Sequence, residues 1–248
     1  MRRITLLVIT SLLCVLWPAT VSAQTVTNVH ANRTASTTDT VSHSGVATSA
    51  GDACVVGIAA NDETVTITSA PADGTNTYTL AAGPSDAITG NVRQWVYYDL
   101  SMAAGTFTIS ATFSAAPANS IIAVVCYHTT SGTWALDGVD TKLDNANSSA
   151  IGFDALTTTG APGVVIGLAG YPLSRTTATG GTFTSRITGS QRAGIVDLIT
   201  ASTGTYTPEA TVIESSVASV TATIALRAGA GGGGASTKRG LLTMGVGR

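Results

Sequence analysis

The chain has 248 residues, 44% hydrophobic and only 10% charged, with 12 Lys and Arg against 14 Asp and Glu. Setting aside Arg2 and Arg3 at the start and Lys238, Arg239 and Arg248 at the end leaves seven cations against all 14 acids, a body near −7. An acidic body with scattered cations is a poor phosphate-backbone binder, which argues against nucleic acid as a partner.

The first residues, MRRITLLVITSLLCVLWPATVSA, carry two arginines, an apolar run from Ile4 to Trp17 and the small-residue exit V-S-A. That plan is a secretory signal peptide over 1–23, cleaved after Ala23. The run is shorter than the roughly 20 residues that cross a bilayer, and no later stretch is continuously apolar at that length, so no membrane span is expected after signal removal. Cys14 follows Leu13, where a lipoprotein signal would carry a small residue, which argues against lipid attachment. The expected location is secreted, extracellular or at the cell surface, with the periplasm as an alternative.

From Gln24 to Ala50 the chain is polar and poor in turn residues, a segment that could lend a strand to a neighbour. CVVGIAA at 54–60 is apolar on both faces and reads as a central strand. In TVTIT at 64–68, Val65 and Ile67 share one face and threonines the other. Pro71-Ala72-Asp73-Gly74 and Ala82-Gly83-Pro84 are turn signals. RQWVYYD at 93–99 places Arg93, Trp95, Tyr97 and Asp99 on one face and Val96, Tyr98 and the flanking aliphatic residues on the other. If the aliphatic face is the core, Trp95 and Tyr97 with Arg93 form an exposed aromatic platform that could stack on a sugar ring; the favoured alternative is that both faces are buried or the aromatics pair across strands. TFTISATF at 106–113 alternates again, with Phe107, Ile109, Ala111 and Phe113 on one side, and IIAVVCY at 121–127 is apolar throughout.

CYHTTSGTWALDGVD at 126–140 gathers a thiol, a phenol, an imidazole, an indole and two carboxylates. We read it as the end of a buried strand running into a loop. His128, Ser131 and Asp137 are close in sequence, yet no G-x-S-x-G elbow occurs anywhere and no strand carries paired acids for glycoside hydrolysis. The expectation is therefore no catalytic constellation and no enzyme. The loop from Asp137 to Ser149 offers Asp137, Asp140 and Asp144 as oxygen ligands for calcium, the one cofactor the sequence suggests. His30, His43 and His128 are far apart with no i,i+2 or i,i+4 pair, so zinc has no seed. GVVIGLAGY at 163–171 is a third double-faced apolar run, and SVTATIALR at 219–227 alternates with Val220, Ala222, Ile224 and Leu226 inward. After Arg227 comes AGAGGGGASTKRGLLTMGVGR, a flexible glycine-rich tail over 229–248.

Two cysteines remain past the signal, Cys54 and Cys126. In an exported chain an even pair invites a disulfide, and two buried thiols acting as small apolar residues are the alternative. No window shows a helical stripe. The pattern predicts an all-β chain: an antiparallel β-sandwich, jelly-roll or Ig-like, of about a dozen short strands in a single domain over 24–228.

The runs A-D-G-T-N-T-Y-T-L at 72–80, R-Q-W-V-Y-Y at 93–98, A-G-T-F-T-I-S-A-T-F at 104–113, I-I-A-V-V-C-Y at 121–127 and S-V-T-A-T-I-A-L-R at 219–227 resemble a family of uncharacterised β-sandwich domains. Such domains recur in exported bacterial and phage-associated proteins. The resemblance covers roughly Ala53 to Arg227, and members carry an acidic residue where this chain has Cys126-Tyr127-His128. It implies a fold and brings no activity. The functional expectation is an exported, non-enzymatic structural or adhesive protein of a cell surface, appendage or coat, its partner a second copy of itself in an oligomer or filament. The alternative is a carbohydrate-binding module that holds a surface glycan on the aromatic strand.

Overall fold

A computed structural model describes residues 24–86, 92–148, 150–175, 177–179, 182–187, 191–212 and 217–229. The expected signal peptide, 1–23, and the tail beyond Gly229 lie outside them. As expected, the fold is all-β and antiparallel. It has more strands than the sequence suggested, and they are more layered.

The first half of the chain contributes β1 (Val26–Ser36), β2 (Thr40–Thr48), β3 (Asp52–Ala60), β4 (Ile67–Ala72), β5 (Thr79–Asp86), β6 (Arg93–Met102), β7 (Gly105–Phe113) and β8 (Ser120–Thr129). These form a five-stranded sheet in the order β1-β8-β3-β6-β5 and a three-stranded sheet in the order β2-β7-β4. The second half contributes β9 (Trp134–Ser148), β10 (Ala150–Ile151), β11 (Leu156–Thr157), β12 (Gly163–Arg175), β13 (Thr177–Thr179), β14 (Thr184–Ser185), β15 (Gln191–Thr200), β16 (Thr205–Tyr206), β17 (Ala210–Val212) and β18 (Val217–Ala228). Its sheets run β9-β18-β12-β15-β14 and β10-β17-β13, with β11 and β16 as a separate pair.

Substituting β9 for β1, β10 for β2, β12 for β3, β13 for β4, β14 for β5, β15 for β6, β17 for β7 and β18 for β8 turns the first pair of sheets into the second without a change of order. The chain is a tandem repeat of one eight-stranded topology. Neighbours 1-8-3-6 in one sheet and 2-7-4 in the other follow the strand order of a jelly roll, from which the fifth strand departs by pairing with the sixth.

The two sandwiches stack through their five-stranded sheets, which makes four layers and three cores. Val41, Val56, Ile58, Trp95, Ile109 and Ile122 fill the first sandwich. Val55, Val125, Tyr127, Ile166, Leu168 and Ile224 fill the space between the halves. Phe153, Val165, Tyr171, Phe183 and Val196 lie under the outer strands of the second. This explains the runs that are apolar on both faces: all nine residues of β3 are buried, and in β8 only His128 is not. Outer strands show the one-sided pattern instead, with Ile109, Ala111 and Phe113 of β7 buried and the intervening residues more accessible. The expected antiparallel sandwich architecture is present, and within 24–228 the described sheets form two sandwiches that share a central core.

Aligning the halves on the buried S-x-x-A of β8 (Ser120, Ala123) and β18 (Ser219, Ala222) makes Gly57 of β3 equivalent to Leu168 of β12, through their ladder partners Ala123 and Ala222. These equivalents touch. A Cβ on Gly57 would lie 2.7 Å from Leu168 Cδ2, and one on Gly170 would lie 3.1 Å from Ala59, its own equivalent. Self-contact of matching positions marks a local two-fold relation between the halves. A bulky residue is accommodated at the crossing only because its counterpart is glycine. Gly57→Ala is expected to lose about 1–2 kcal/mol, because Leu168 must yield inside a packed core. Shortening the partner in Gly57→Ala/Leu168→Val should recover part of that loss, read from the urea midpoint; a more stable Gly57→Ala would contradict the contact.

Candidate functional site

The aromatic platform is not a surface. Trp95 is 4% and Tyr97 6% exposed, both inside the first sandwich, and the Trp95 ring centroid lies 5.9 Å from that of Phe113. Arg93 is half-buried and donates from its guanidinium to the Val65 carbonyl at 2.8 Å. Burial also pushes the Tyr97 phenol above its ordinary range. Of the two readings the sequence left open for β6, burial of both faces is the one observed, because the first sandwich covers one face and the second sandwich the other. Trp95, Tyr97 and Arg93 are therefore packing residues, and the surface on which a glycan would stack does not exist at this strand.

The segment expected to be a calcium loop is strand over Asp137 and Asp140. Asp137 and Asp140 belong to the fifteen-residue strand β9, at the edge of its sheet. Asp137 sits where the ladder to β18 skips a residue, and it turns its carboxylate onto the 159–160 backbone. It accepts from the amides of Thr159 (2.7 Å) and Gly160 (3.3 Å) and from the Thr159 hydroxyl. Burial opposes its ionisation, and these hydrogen bonds outweigh it, holding the carboxyl below the usual carboxylate range. Asp140 is exposed and accepts from the Thr141 amide. The side chain of Asp144 lies outside the described residues. An extended strand spreads acids over about 3.3 Å per residue on alternating faces instead of folding them around one ion. Among the described residues no group of three or more His, Cys, Asp or Glu could hold a metal.

His128 finds an acid, though not the one nearest in sequence. Its Nδ1 lies 2.6 Å from Asp52 Oδ1, and the other oxygen of that buried carboxylate accepts from the Ser49 amide at 2.8 Å. Ser131 instead meets Gln24 and Thr129, and Asp137 is engaged elsewhere, so His128, Ser131 and Asp137 do not form a triad. Cys126 is bonded to Cys54 directly across the β3–β8 ladder, with Cα atoms 4.1 Å apart. The disulfide is formed, and the thiol is not available as a nucleophile.

Two polar constellations were not foreseen. In the central core, Tyr127 of β8 donates to Asp197 Oδ2 of β15 at 2.6 Å, while Arg186 Nε donates to both oxygens of the same carboxylate at 2.8 and 2.9 Å. Burial, then the adjacent Asp197 charge, raises the Tyr127 phenol well above its ordinary range. This triad fastens one half to the other. At the edge of the first sandwich, His30 of β1 and His43 of β2 bring their Nε2 atoms to 3.1 Å, and His43 Nδ1 lies 2.9 Å from Thr34 Oγ1. A bend at 37–39, midway between the two histidines, folds β2 back beside β1.

No known protein family, no curated protein and no solved structure matches this chain.

Proposed function

We propose that the chain is an exported, non-enzymatic structural or adhesive protein of a cell surface, appendage or coat, and that copies of it associate. The observation that carries this reading is the four-layer stack. Both five-stranded sheets are covered on both faces, so the surface left for partners is strand edge and the outer, polar faces of the flanking strands. The long edge strands β1 and β9 carry the exposed apolar residues Val29 and Leu143, and a third, Leu80, lies on the edge strand β5. An open edge presents unpaired backbone donors and acceptors, the chemistry by which sheets add strands from a second chain. Jelly rolls are also a recurrent architecture of coats. The buried disulfide supports export, because such bonds persist in oxidising compartments.

Electron microscopy and light scattering over a concentration series are expected to show ordered oligomers or fibres, weakened by Leu143→Lys, which places a charge on the β9 edge. A monomer at every concentration would overturn the reading. The segment from Gln24 to Ala50, expected to be available for donation to a neighbour, is occupied within its own fold as β1 and β2. Assembly through it would proceed by edge pairing rather than by strand exchange.

A further inference from the structure

We propose that His30 and His43 form a binding site for a borderline divalent transition-metal ion, with Cu(II) the preferred occupant.

The two Nε2 atoms stand 3.1 Å apart on different strands, with their ring planes tilted by 49°. Two imidazoles that ligate one ion at about 2.0 Å each bring their nitrogens to about this separation when they occupy adjacent coordination positions. The backbone is arranged to aim them. Each histidine borders an irregularity in its ladder, between Asn28 and His30 against β8 and between His43 and Val46 against β7. Bulges re-aim side chains and gather near sites. Asn28 secures the first one by donating to the carbonyls of His30 and Cys126, both at 3.0 Å. His30 is in register with Cys126, itself tied to Cys54, so the strand behind the ligand is covalently anchored.

The partner of the second nitrogen fits as well. Ligating histidines hold their other ring nitrogen in a hydrogen bond that fixes tautomer and orientation. Thr34 does this for His43: with His43 Nδ1–H donating to Thr34 Oγ1, the Nε2 lone pair is left for the ion. Without metal, a single proton bridges the two Nε2 atoms. On binding, that proton moves to Nδ1 of its own ring, so at neutral pH no net proton is released. Burial holds both imidazoles below the ordinary histidine range, aided at His30 by the neighbouring His43 ring. His43 is buried and His30 only partly so, which puts the approach on the His30 side. Imidazole donors suit copper, nickel and zinc, and among these divalent ions Cu(II) binds most tightly.

Titrating the full chain with CuCl2 against glycine as competitor is expected to fill one tight site whose electron paramagnetic resonance spectrum shows two imidazole nitrogens. His30→Gln, at a partly buried position, should weaken that binding by roughly 100-fold, and Thr34→Val by about 10-fold through the loss of orientation. His128→Gln should leave the site unchanged. An unaltered affinity in His30→Gln, or loss of the signal in His128→Gln, would overturn the assignment. If His30→Gln does not fold, the spectrum of the His128→Gln variant decides alone: fewer than two coordinated nitrogens refutes the site.

Discussion

Asp197→Ala is expected to destabilise the protein by about 3–5 kcal/mol, the cost of removing one member of a buried, hydrogen-bonded charge pair. The carboxylate is 1% exposed and accepts three bonds, one from the fully buried Tyr127 hydroxyl and two from Arg186. Its removal leaves the phenol without an acceptor, a penalty of about 1–3 kcal/mol by itself, and leaves the guanidinium facing a core. Water relieves part of the second cost, because the Arg186 side chain is 26% exposed. For a chain of this size the loss corresponds to a fall in melting temperature of roughly 6–20 °C. Tyr127→Phe takes away only the donor and should cost about 1 kcal/mol, so the two substitutions separate the hydroxyl from the charge. Replacing all three together, as Tyr127→Phe/Asp197→Leu/Arg186→Met, should recover most of the loss, since an apolar set of similar volume carries no desolvation penalty. A drop below 1 kcal/mol in Asp197→Ala, measured by urea denaturation, would show that the triad does not hold the halves together.

What the sequence made legible follows from how many residues a pattern had to repeat over. β7 runs nine residues with strict alternation, and β3, β8 and β12 are apolar on both faces, so strand character and central position could both be read. The repeat could not, because the outer strands of the second half are two or three residues long and offer too few positions for a period of two to register. Whether Trp95 and Tyr97 face water or a further layer could not be decided at β6 alone. Period-two reasoning assigns one face to water, and at β6 that face belongs to another sheet; three double-faced runs in one chain already implied more than two layers. β9 was misread on composition. Asp, Asn and Gly suggest a loop, but an edge strand tolerates them, because one side of its backbone has no partner strand and polar residues there discourage unwanted pairing. His30 and His43 were expected to be far apart, yet they meet at 3.1 Å; the bend between them consists of Thr37, Thr38 and Asp39, with none of the glycine or proline that marks a turn.

Removing the disulfide, as Cys54→Ala/Cys126→Val to preserve volume, is expected to cost about 4 kcal/mol, or roughly 8–16 °C in melting temperature. The bond joins strands that are already adjacent in the ladder, so in the folded state it adds little that the backbone hydrogen bonds do not supply. Its effect lies in the unfolded chain. A link across 72 residues denies that chain most of the conformations in which β3 and β8 drift apart, and the logarithmic dependence on loop length puts the stabilisation near the upper end for a single disulfide. Both sulfurs lie in fully buried residues, so reductant should reach them only when the first sandwich opens. Reduction by dithiothreitol is then expected to be slow in buffer and fast in urea. His30 sits in register with Cys126 on a ladder that the variant keeps, so the folded variant should still show the two-nitrogen Cu(II) spectrum at saturation. A variant with an unmoved melting temperature, or a non-reduced digest in which no peptide joins Cys54 to Cys126, would remove the covalent anchor from the account of both stability and site.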